Sequence, residues 1–230
     1  MSDRVIISIG TKKGLFVGEA SKHREMFSLR RPFGEGVSVY SALIETRGTP
    51  DLYASSCNAF FGMEILHSND LGGTFTETKA APAFPKNDGR ALANIWALES
   101  GSERNELWCE VEPASLFRSE DSGNSWEIIA GISNHQHSRE WQPGQGGLCL
   151  HTILRDGDRM HLGISTGGHY AYSGGSSSTT RRCGATVRAG ARRPMCFLAC
   201  FIFGMLGRLL ARCSEEPPLL VGETSDTQKT

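Results

Sequence analysis

Several features that mark common protein classes are missing from this sequence. Its 230 residues carry 24 basic and 25 acidic side chains, so the net charge of −1 favours neither a nucleic-acid partner nor an anionic membrane. No Walker or G-x-G-x-x-G pattern precedes a predicted helix, so we expect no cofactor. The first ten residues lack a basic stretch followed by a long apolar run, and we therefore predict a cytoplasmic protein without a signal peptide.

The seven cysteines contain no C-x-x-C pair. Cys57, Cys109 and Cys149 stand singly in apolar, strand-like runs, where we predict small buried thiols rather than ligands or disulfides. Cys196 and Cys200 lie in an apolar run that has no neighbouring histidine. We therefore predict no metal site at that pair.

One eight-residue pattern occurs twice, 51 residues apart, as "SNDLGGTF" from Ser68 and "SEDSGNSW" from Ser119. Each copy follows two strand-like runs joined by a loop, and a further apolar segment lies upstream. A third round begins at Cys149, so about 50 to 55 residues form one unit. The stretch from Val5 to Ala20 aligns with the middle of such a unit, which indicates that the repeat includes the start of the sequence.

Within each unit the apolar runs alternate with period two and are separated by Gly, Asp and Asn turns. These runs are short, and this pattern predicts strands rather than helices. Four short strands in a unit of this length are typical of one blade of a β-propeller. The pattern therefore predicts an all-β fold.

The repeated motif resembles the Asp-box, or BNR repeat, of sialidases and sialidase-like propellers. The stretches "GTKKGLF", "EPASLFRSEDSGNSWE" and "EWQPGQGGLCLHTIL" are similar to a bacterial family described as sialidase-like or BNR-repeat glycosyl hydrolases. The resemblance covers residues 4 to 172 and implies an incomplete β-propeller of about three four-stranded Asp-box blades within residues 1–172. It also implies that each motif forms the turn between the third and fourth strands of a blade.

The motif residues are predicted to be structural rather than catalytic. Glycine at the fifth position of the motif can adopt a positive φ, the aspartate can accept backbone N–H bonds in the turn, and the aromatic residue can pack between blades. The residues concerned are Ser68, Asp70, Gly72 and Phe75 in the first copy, and Ser119, Asp121, Gly123 and Trp126 in the second.

A ligand face is expected at the opposite ends of the strands, where sialidase-like propellers hold their ligands. The candidates there are Lys12, Lys13, the insertion Asn58 to Met63, Glu112, Arg139, Trp141 and His151. Glu112 is the candidate catalytic residue, because Glu110 lies two residues earlier on the same side of a strand and glycoside cleavage uses two carboxyl groups. A solvated strand end explains the two glutamates equally well.

Two further groups on this face have alternative interpretations. His135, His137 and His151 could in principle hold zinc, but we favour an exposed linker for the polar run that contains the first two. Arg139 and Trp141 could present a cation and an aromatic platform to a sugar or an acid. For Trp141, packing between blades is an equal alternative.

The sequence departs from the pattern of a true sialidase. Such an enzyme binds a carboxylate with three arginines and uses a Tyr–Glu nucleophile pair with an aspartate acid. No F-R-I-P stretch is present here, and "LRRPF" resembles that stretch only weakly. We therefore predict a sialidase-like propeller fragment that binds a carbohydrate or an acidic small molecule with weak or no catalysis. The alternatives are a glycoside hydrolase of the exo-sialidase type acting on acidic sugars, and a protein-interaction or assembly platform.

The last part of the sequence, residues 173–230, differs in character from the repeats. Seven arginines occur between Ser173 and Ser214 without any lysine or acidic residue, and no third motif follows Tyr170. We hypothesise that the tail, predicted to be irregular or partly helical, is out of frame or otherwise recombined from about Ala171. The propeller would then be truncated, with low stability or a tendency to associate through open sheet edges. The apolar segment 195–207 is too short for an ordinary membrane span, so membrane insertion is not expected.

Overall fold

The computed structural model describes residues 4–30, 33–34, 36–58, 62–156 and 159–173, and nearly all of its regular structure is β-strand. The strands are β1 (Arg4–Thr11), β2 (Gly14–Ser21), β3 (Ser28–Arg30), β4 (Ser38–Glu45), β5 (Asp51–Asn58), β6 (Gly62–Ser68), β7 (Thr76–Glu77), β8 (Asn94–Ser100), β9 (Leu107–Glu112), β10 (Ser115–Ser119), β11 (Glu127–Ile128), β12 (Leu150–Asp156), β13 (Arg159–Ile164) and β14 (Gly168–Ser173). A short helix α1 (Ala130–Ser133) and a 3₁₀ helix (Gln136–Glu140) lie between β11 and β12.

The strands form four antiparallel sheets in which neighbours in the chain are neighbours in space. Among the described residues, β4–β7 and β8–β11 make four-stranded sheets, whereas β1–β3 and β12–β14 make three-stranded ones. We number these sheets blades 1 to 4 in chain order. The predicted all-β, incomplete propeller is therefore confirmed, with two four-stranded blades flanked by two of three strands rather than three of four. In blade 1, β1 corresponds to the second strand of the repeat, in the position that β5 holds in blade 2.

Alternation along each strand sends side chains to the two neighbouring blades. In β9 the residues Leu107, Cys109 and Val111 face blade 2, and the intervening Trp108 faces blade 4. All four are at least 95% buried, so neither side of this part of β9 faces solvent. Each fully buried aliphatic side chain of this kind contributes roughly 1.5–3 kcal/mol relative to an exposed one.

Three apolar cores hold the blades together, one at each junction. The core between blades 1 and 2 contains Leu15, Val17, Val39, Leu52 and Ala54. The core between blades 2 and 3 is built around Phe117 and Ile95, and the one between blades 3 and 4 around Leu116 and Leu162. Because each core needs two blades, a single blade has no complete core of its own, which is the usual energetics of stacked repeats.

Arginines reinforce the same junctions at one end of the strands. Arg104 of blade 3 donates to the Asp51 carboxylate at 2.7 Å and to the Thr49 carbonyl at 2.8 Å, both in blade 2. Arg155 of blade 4 donates to the Ser100 carbonyl of blade 3 at 3.2 Å. These cross-links add a polar layer to the apolar contacts and help to fix the angle between successive blades.

Neither of the two helices in the described part of the chain is long and apolar enough to cross a bilayer. The predicted tail lies outside the described residues except for Ser173, which pairs with Arg159 at the end of β14. The apolar segment 195–207 lies outside them entirely.

Candidate ligand-binding face

The antiparallel order places the connections at two opposite ends of the blades. We call the end that carries the β1–β2, β9–β10 and β13–β14 turns and the first residues of β4, β8 and β12 the mouth face. The other end, which carries the β6–β7 and β10–β11 turns, is the back face. The two S-x-D-x-G motifs lie on the back face, away from the candidates for ligand contact.

The first motif forms a closed hydrogen-bond network around the Ser68 hydroxyl. This hydroxyl donates to Asp70 Oδ1 at 2.7 Å and accepts the Gly72 backbone N–H at 2.7 Å. Asp70 Oδ1 also accepts the Thr74 N–H at 2.9 Å, while Leu71 and Gly72 take positive φ values of 56° and 89°. The turn therefore depends on the serine and the aspartate together.

The second motif repeats this network with nearly the same distances. The Ser119 hydroxyl donates to Asp121 Oδ1 and accepts the Gly123 N–H, each at 2.8 Å, and Asp121 Oδ1 accepts the Ser125 N–H at 2.8 Å. Ser122 and Gly123 have φ values of 61° and 85°. The two loops are thus copies of one turn on adjacent blades.

The aspartates are ionised parts of these turns. The Thr74 N–H and the hydroxyls of Ser68 and Thr74 hold the pKa of Asp70 well below its usual range. Burial raises the pKa of Asp121, but its hydrogen bonds from Ser125 and Ser119 outweigh burial and lower that pKa. An aspartate that accepts hydrogen bonds in a turn on the back face has no proton to give to a ligand on the mouth face.

The motif aromatics pack at the blade junctions. Phe75 packs against the core between blades 1 and 2, and Trp126 against the core between blades 2 and 3. The indole N–H of Trp126 also lies 3.2 Å from the carbonyl oxygen of Ala80, in the connection between these blades.

The cationic candidates lie apart from one another on the mouth face. Lys12 and Lys13 are exposed at the tip of the β1–β2 hairpin, where the Thr11 hydroxyl accepts the Lys13 N–H at 3.0 Å. Arg139 is exposed on the 3₁₀ helix, in the connection between blades 3 and 4. The predicted insertion between β5 and β6 is outside the description from residues 59 to 61.

The two glutamates of β9 occupy different environments although they point to the same side. Glu110 is 0% exposed, between blades 3 and 4, whereas Glu112 lies at the rim and is half-buried. Glu112 Oε2 accepts the Trp96 indole N–H at 3.2 Å. On its other side the carboxylate lies against Gly147, where a Cβ atom would overlap Glu112 Oε1.

The Trp141 ring packs between blades and is not an exposed platform for a ligand. It is 7% exposed, belongs to the core between blades 3 and 4, and donates its indole N–H to the Tyr170 hydroxyl at 2.8 Å. The two rings meet edge to face at 5.4 Å. The Tyr170 hydroxyl in turn donates to the Gly167 carbonyl at 3.1 Å, which ties the segment before β12 to the β13–β14 turn.

The exposed linker predicted for the histidine run is wrong for His135, which is 9% exposed. Its Nδ1 accepts the His137 N–H at 3.1 Å and so caps the 3₁₀ helix, and its ring packs against Tyr170. Burial lowers the pKa of His135, and the neighbouring His137 lowers it further. His151 lies on β12, with its Nδ1 2.8 Å from the Thr152 hydroxyl. Among the described residues, no three His, Cys, Asp or Glu side chains are grouped to hold a metal ion.

The described cysteines are free thiols. Cys109 and Cys149 are buried as predicted, whereas Cys57 is only partly buried. Burial raises the pKa of the Cys109 thiol and also that of Cys149, whose Sγ lies 2.7 Å from the Ser165 hydroxyl. Buried thiols with raised pKa values are poor nucleophiles.

Sequence reasoning missed three residues of the mouth face, Tyr40, Trp96 and Asn94. They lie near the starts of β4 and β8, the strands that begin the repeat units in blades 2 and 3. Tyr40 is 44% exposed and meets Trp96 edge to face at 5.5 Å. The signal that could have found them is positional, because each aromatic residue follows the first buried aliphatic residue of its strand.

Comparisons with known proteins bear on the fold alone. No protein-family model and no curated protein matches the chain. Among solved structures, it is similar to YCF48 from Cyanidioschyzon merolae at 13% identity and a TM-score of 0.44, over 84% of this chain and 59% of that one. It is also similar to the GH74 xyloglucanase from Xanthomonas campestris at 15% identity and a TM-score of 0.47, over 74% of this chain and 25% of that one.

A third similar structure is the sialidase from Trypanosoma rangeli, at 12% identity and a TM-score of 0.40, over 80% of this chain and 37% of that one. The resemblance is one of fold. These neighbours are β-propellers and include sialidases, the class to which the repeated motif was likened. The chain spans about a quarter to three fifths of the length of these three proteins.

Proposed function

We propose that this sialidase-like propeller binds a carbohydrate or an acidic small molecule at its mouth face, with weak or no hydrolytic activity. The observation that carries the proposal is the separation of Glu110 from Glu112. Hydrolysis of a glycoside by the common route requires two carboxyl groups that flank the scissile bond. Glu110 is 0% exposed in the blade junction, so a sugar cannot be placed between it and Glu112.

The surroundings of Glu112 support binding rather than catalysis. Its carboxylate accepts a hydrogen bond from Trp96 and is confined by Gly147, which keeps it in one position. A fixed acceptor next to exposed aromatic surface is a common arrangement in sites that orient a ligand. A catalytic acid would also need a second carboxylate across the ligand.

We further assign the two back-face turns to the Asp-box, or BNR, repeat. The matched networks at Ser68 and Ser119 support this assignment, because serine, aspartate and glycine have the same partners in both copies. On this interpretation the motif contributes stability to each blade and takes no direct part in binding.

The experiment is a paired assay of turnover and binding on the full chain. A fluorogenic sialoside and a set of fluorogenic neutral glycosides are incubated with the wild type, with Glu112→Gln, and with Glu120→Gln as a matched back-face control. We expect no release above the blank from any of the three proteins, and saturable binding of oligosaccharides by isothermal titration calorimetry. Turnover that is lost in Glu112→Gln and kept in Glu120→Gln would establish the hydrolase instead.

A further inference from the structure

The strands β4, β8 and β12 each contain a register irregularity near the end that lies at the mouth face. The irregularities lie between Val39 and Ala42 in β4, between Ile95 and Ala97 in β8, and between Leu150 and Thr152 in β12. A β-bulge adds a residue to one strand and re-aims its side chain, and bulges are common next to binding sites. The residues at these positions include Tyr40, Trp96 and His151, so the repeat places an aromatic or imidazole ring at one level in three adjacent blades.

Two of these rings are in contact and leave a defined surface. Tyr40 and Trp96 meet at 5.5 Å with an angle of 63° between their planes. In this arrangement the edge of one ring covers part of the face of the other. Tyr40 is nevertheless 44% exposed, so apolar ring surface remains for a flat partner.

The polar groups beside the rings include two oxygen acceptors. Glu112 Oε2 is 3.2 Å from the Trp96 indole nitrogen. Asn94 pairs with Glu112 across β8 and β9, so the two side chains lie on the same face of the sheet. Asn94 is 8% exposed, and its Oδ1 has no hydrogen-bond partner among the described residues. Because this oxygen is itself buried, and a buried acceptor without a partner is unfavourable, rotation of the amide towards the rim would let it accept a hydroxyl from a ligand.

We propose that Tyr40, Trp96, Asn94 and Glu112 form a stacking subsite for an uncharged pyranose of an oligosaccharide. The inference rests on the proposed carbohydrate binding and names the class of sugar. A pyranose offers a C–H face to the aromatic rings and hydroxyl donors to the two acceptors. An acidic sugar would bring its carboxylate towards Glu112, which forms no ion pair with a Lys or Arg among the described residues. Like charges in a partly buried site repel, so the neutral sugar is favoured.

The test compares sugars that differ in charge. The full chain is titrated with cellotetraose, xylotetraose, maltotetraose and mannotetraose as neutral probes, with 3′-sialyllactose and tetragalacturonic acid as acidic probes, and with chitosan tetraose as a cationic probe. Binding is followed by calorimetry and by the indole signals in two-dimensional NMR. The variants are Tyr40→Ala, which removes an exposed ring, and Trp96→Phe, which keeps a ring but loses the hydrogen bond to Glu112. Asn69→Ala, at an exposed residue of the back face, is the matched control.

We expect at least one neutral tetrasaccharide to bind and to shift the Trp96 indole signal, with at least a tenfold weaker affinity in Tyr40→Ala and little change in Asn69→Ala. Acidic and cationic probes should bind at least tenfold more weakly than that tetrasaccharide. If acidic sugars bind and neutral ones do not, carbohydrate binding stands and this inference fails. It also fails if the cationic probe binds most tightly, or if Tyr40→Ala and Trp96→Phe bind neutral sugars as the wild type does. Failure of every saccharide to bind would overturn both the inference and the proposed carbohydrate binding.

Discussion

Replacement of Ser119 by alanine tests whether the back-face turn depends on its buried serine. Ser119 is 2% exposed, and its hydroxyl accepts the Gly123 N–H at 2.8 Å while it donates to Asp121 Oδ1 at 2.8 Å. The hydroxyl is therefore the single link between the buried amide and the carboxylate. Alanine occupies almost the same space, so the change removes these bonds without creating a large cavity.

The expected cost follows from the groups that lose a partner. Gly123 is buried, and a buried donor left without an acceptor costs about 1–3 kcal/mol. Asp121 is exposed, so water can replace the lost hydroxyl there at little cost. We therefore expect Ser119→Ala to reduce the free energy of unfolding by about 2 kcal/mol, or roughly 4–8 °C in Tm for a domain of this size. Ser68→Ala should have a similar effect, because its two distances are both 2.7 Å.

The assay is urea unfolding followed by tryptophan fluorescence, supported by thermal scanning. Asn69→Ala is the matched control, because Asn69 is an exposed residue of the same motif. We expect it to change the free energy of unfolding by less than about 0.5 kcal/mol. The reasoning would be refuted if Ser119→Ala and Ser68→Ala were no more destabilising than Asn69→Ala.

Two further predictions concern other contacts. Glu45 is 3% exposed; burial raises its pKa, but hydrogen bonds from Arg47 outweigh burial and lower the pKa to about 2 from an ordinary 4.5. Its stabilisation is therefore present above about pH 4.5 and lost as the pH falls towards about 2, so the fall in unfolding free energy between pH 6 and pH 3 should be smaller in Arg47→Met; equal falls would contradict this. Gly147→Ala should destabilise the protein by about 1–3 kcal/mol more than Gly89→Ala, because both glycines have positive φ but only at Gly147 would the added Cβ collide with Glu112. Equal thermal stability of the two variants would show that the glutamate simply moves aside.

The fold was predictable because the repeat gives two signals in the sequence, the alternation of apolar residues and the spacing of the motifs. Alternating apolar residues identify strands such as β9, and the spacing of the two motifs identifies the length of a blade. The resemblance to Asp-box propellers implied that the motifs lie between the third and fourth strands of a blade, which is where the β6–β7 and β10–β11 turns lie. The number of strands in the flanking blades was less predictable, because it depends on where pairing begins and ends.

The candidate site was predicted less completely. Glu112 could be found from its position at a strand end, but its separation from Glu110 depends on how deeply each lies in the blade junction. Trp141 was placed on the mouth face, although whether its ring would pack or be exposed depended on Tyr170, 29 residues later. Tyr40 and Trp96 were not predicted as site residues, because their rings come into contact only when blades 2 and 3 pack together.

The sequence by itself determined the period, the strand pattern and the turn chemistry of this protein, since these are local properties fixed by side chains a few residues apart. Only the tertiary structure decided which side chains share an environment. Glu110 and Glu112 have the same chemistry and point the same way, yet blade packing encloses the first and leaves the second at the rim beside Trp96. Burial and long-range contact depend on the packing of one blade against the next, and no local pattern specifies that.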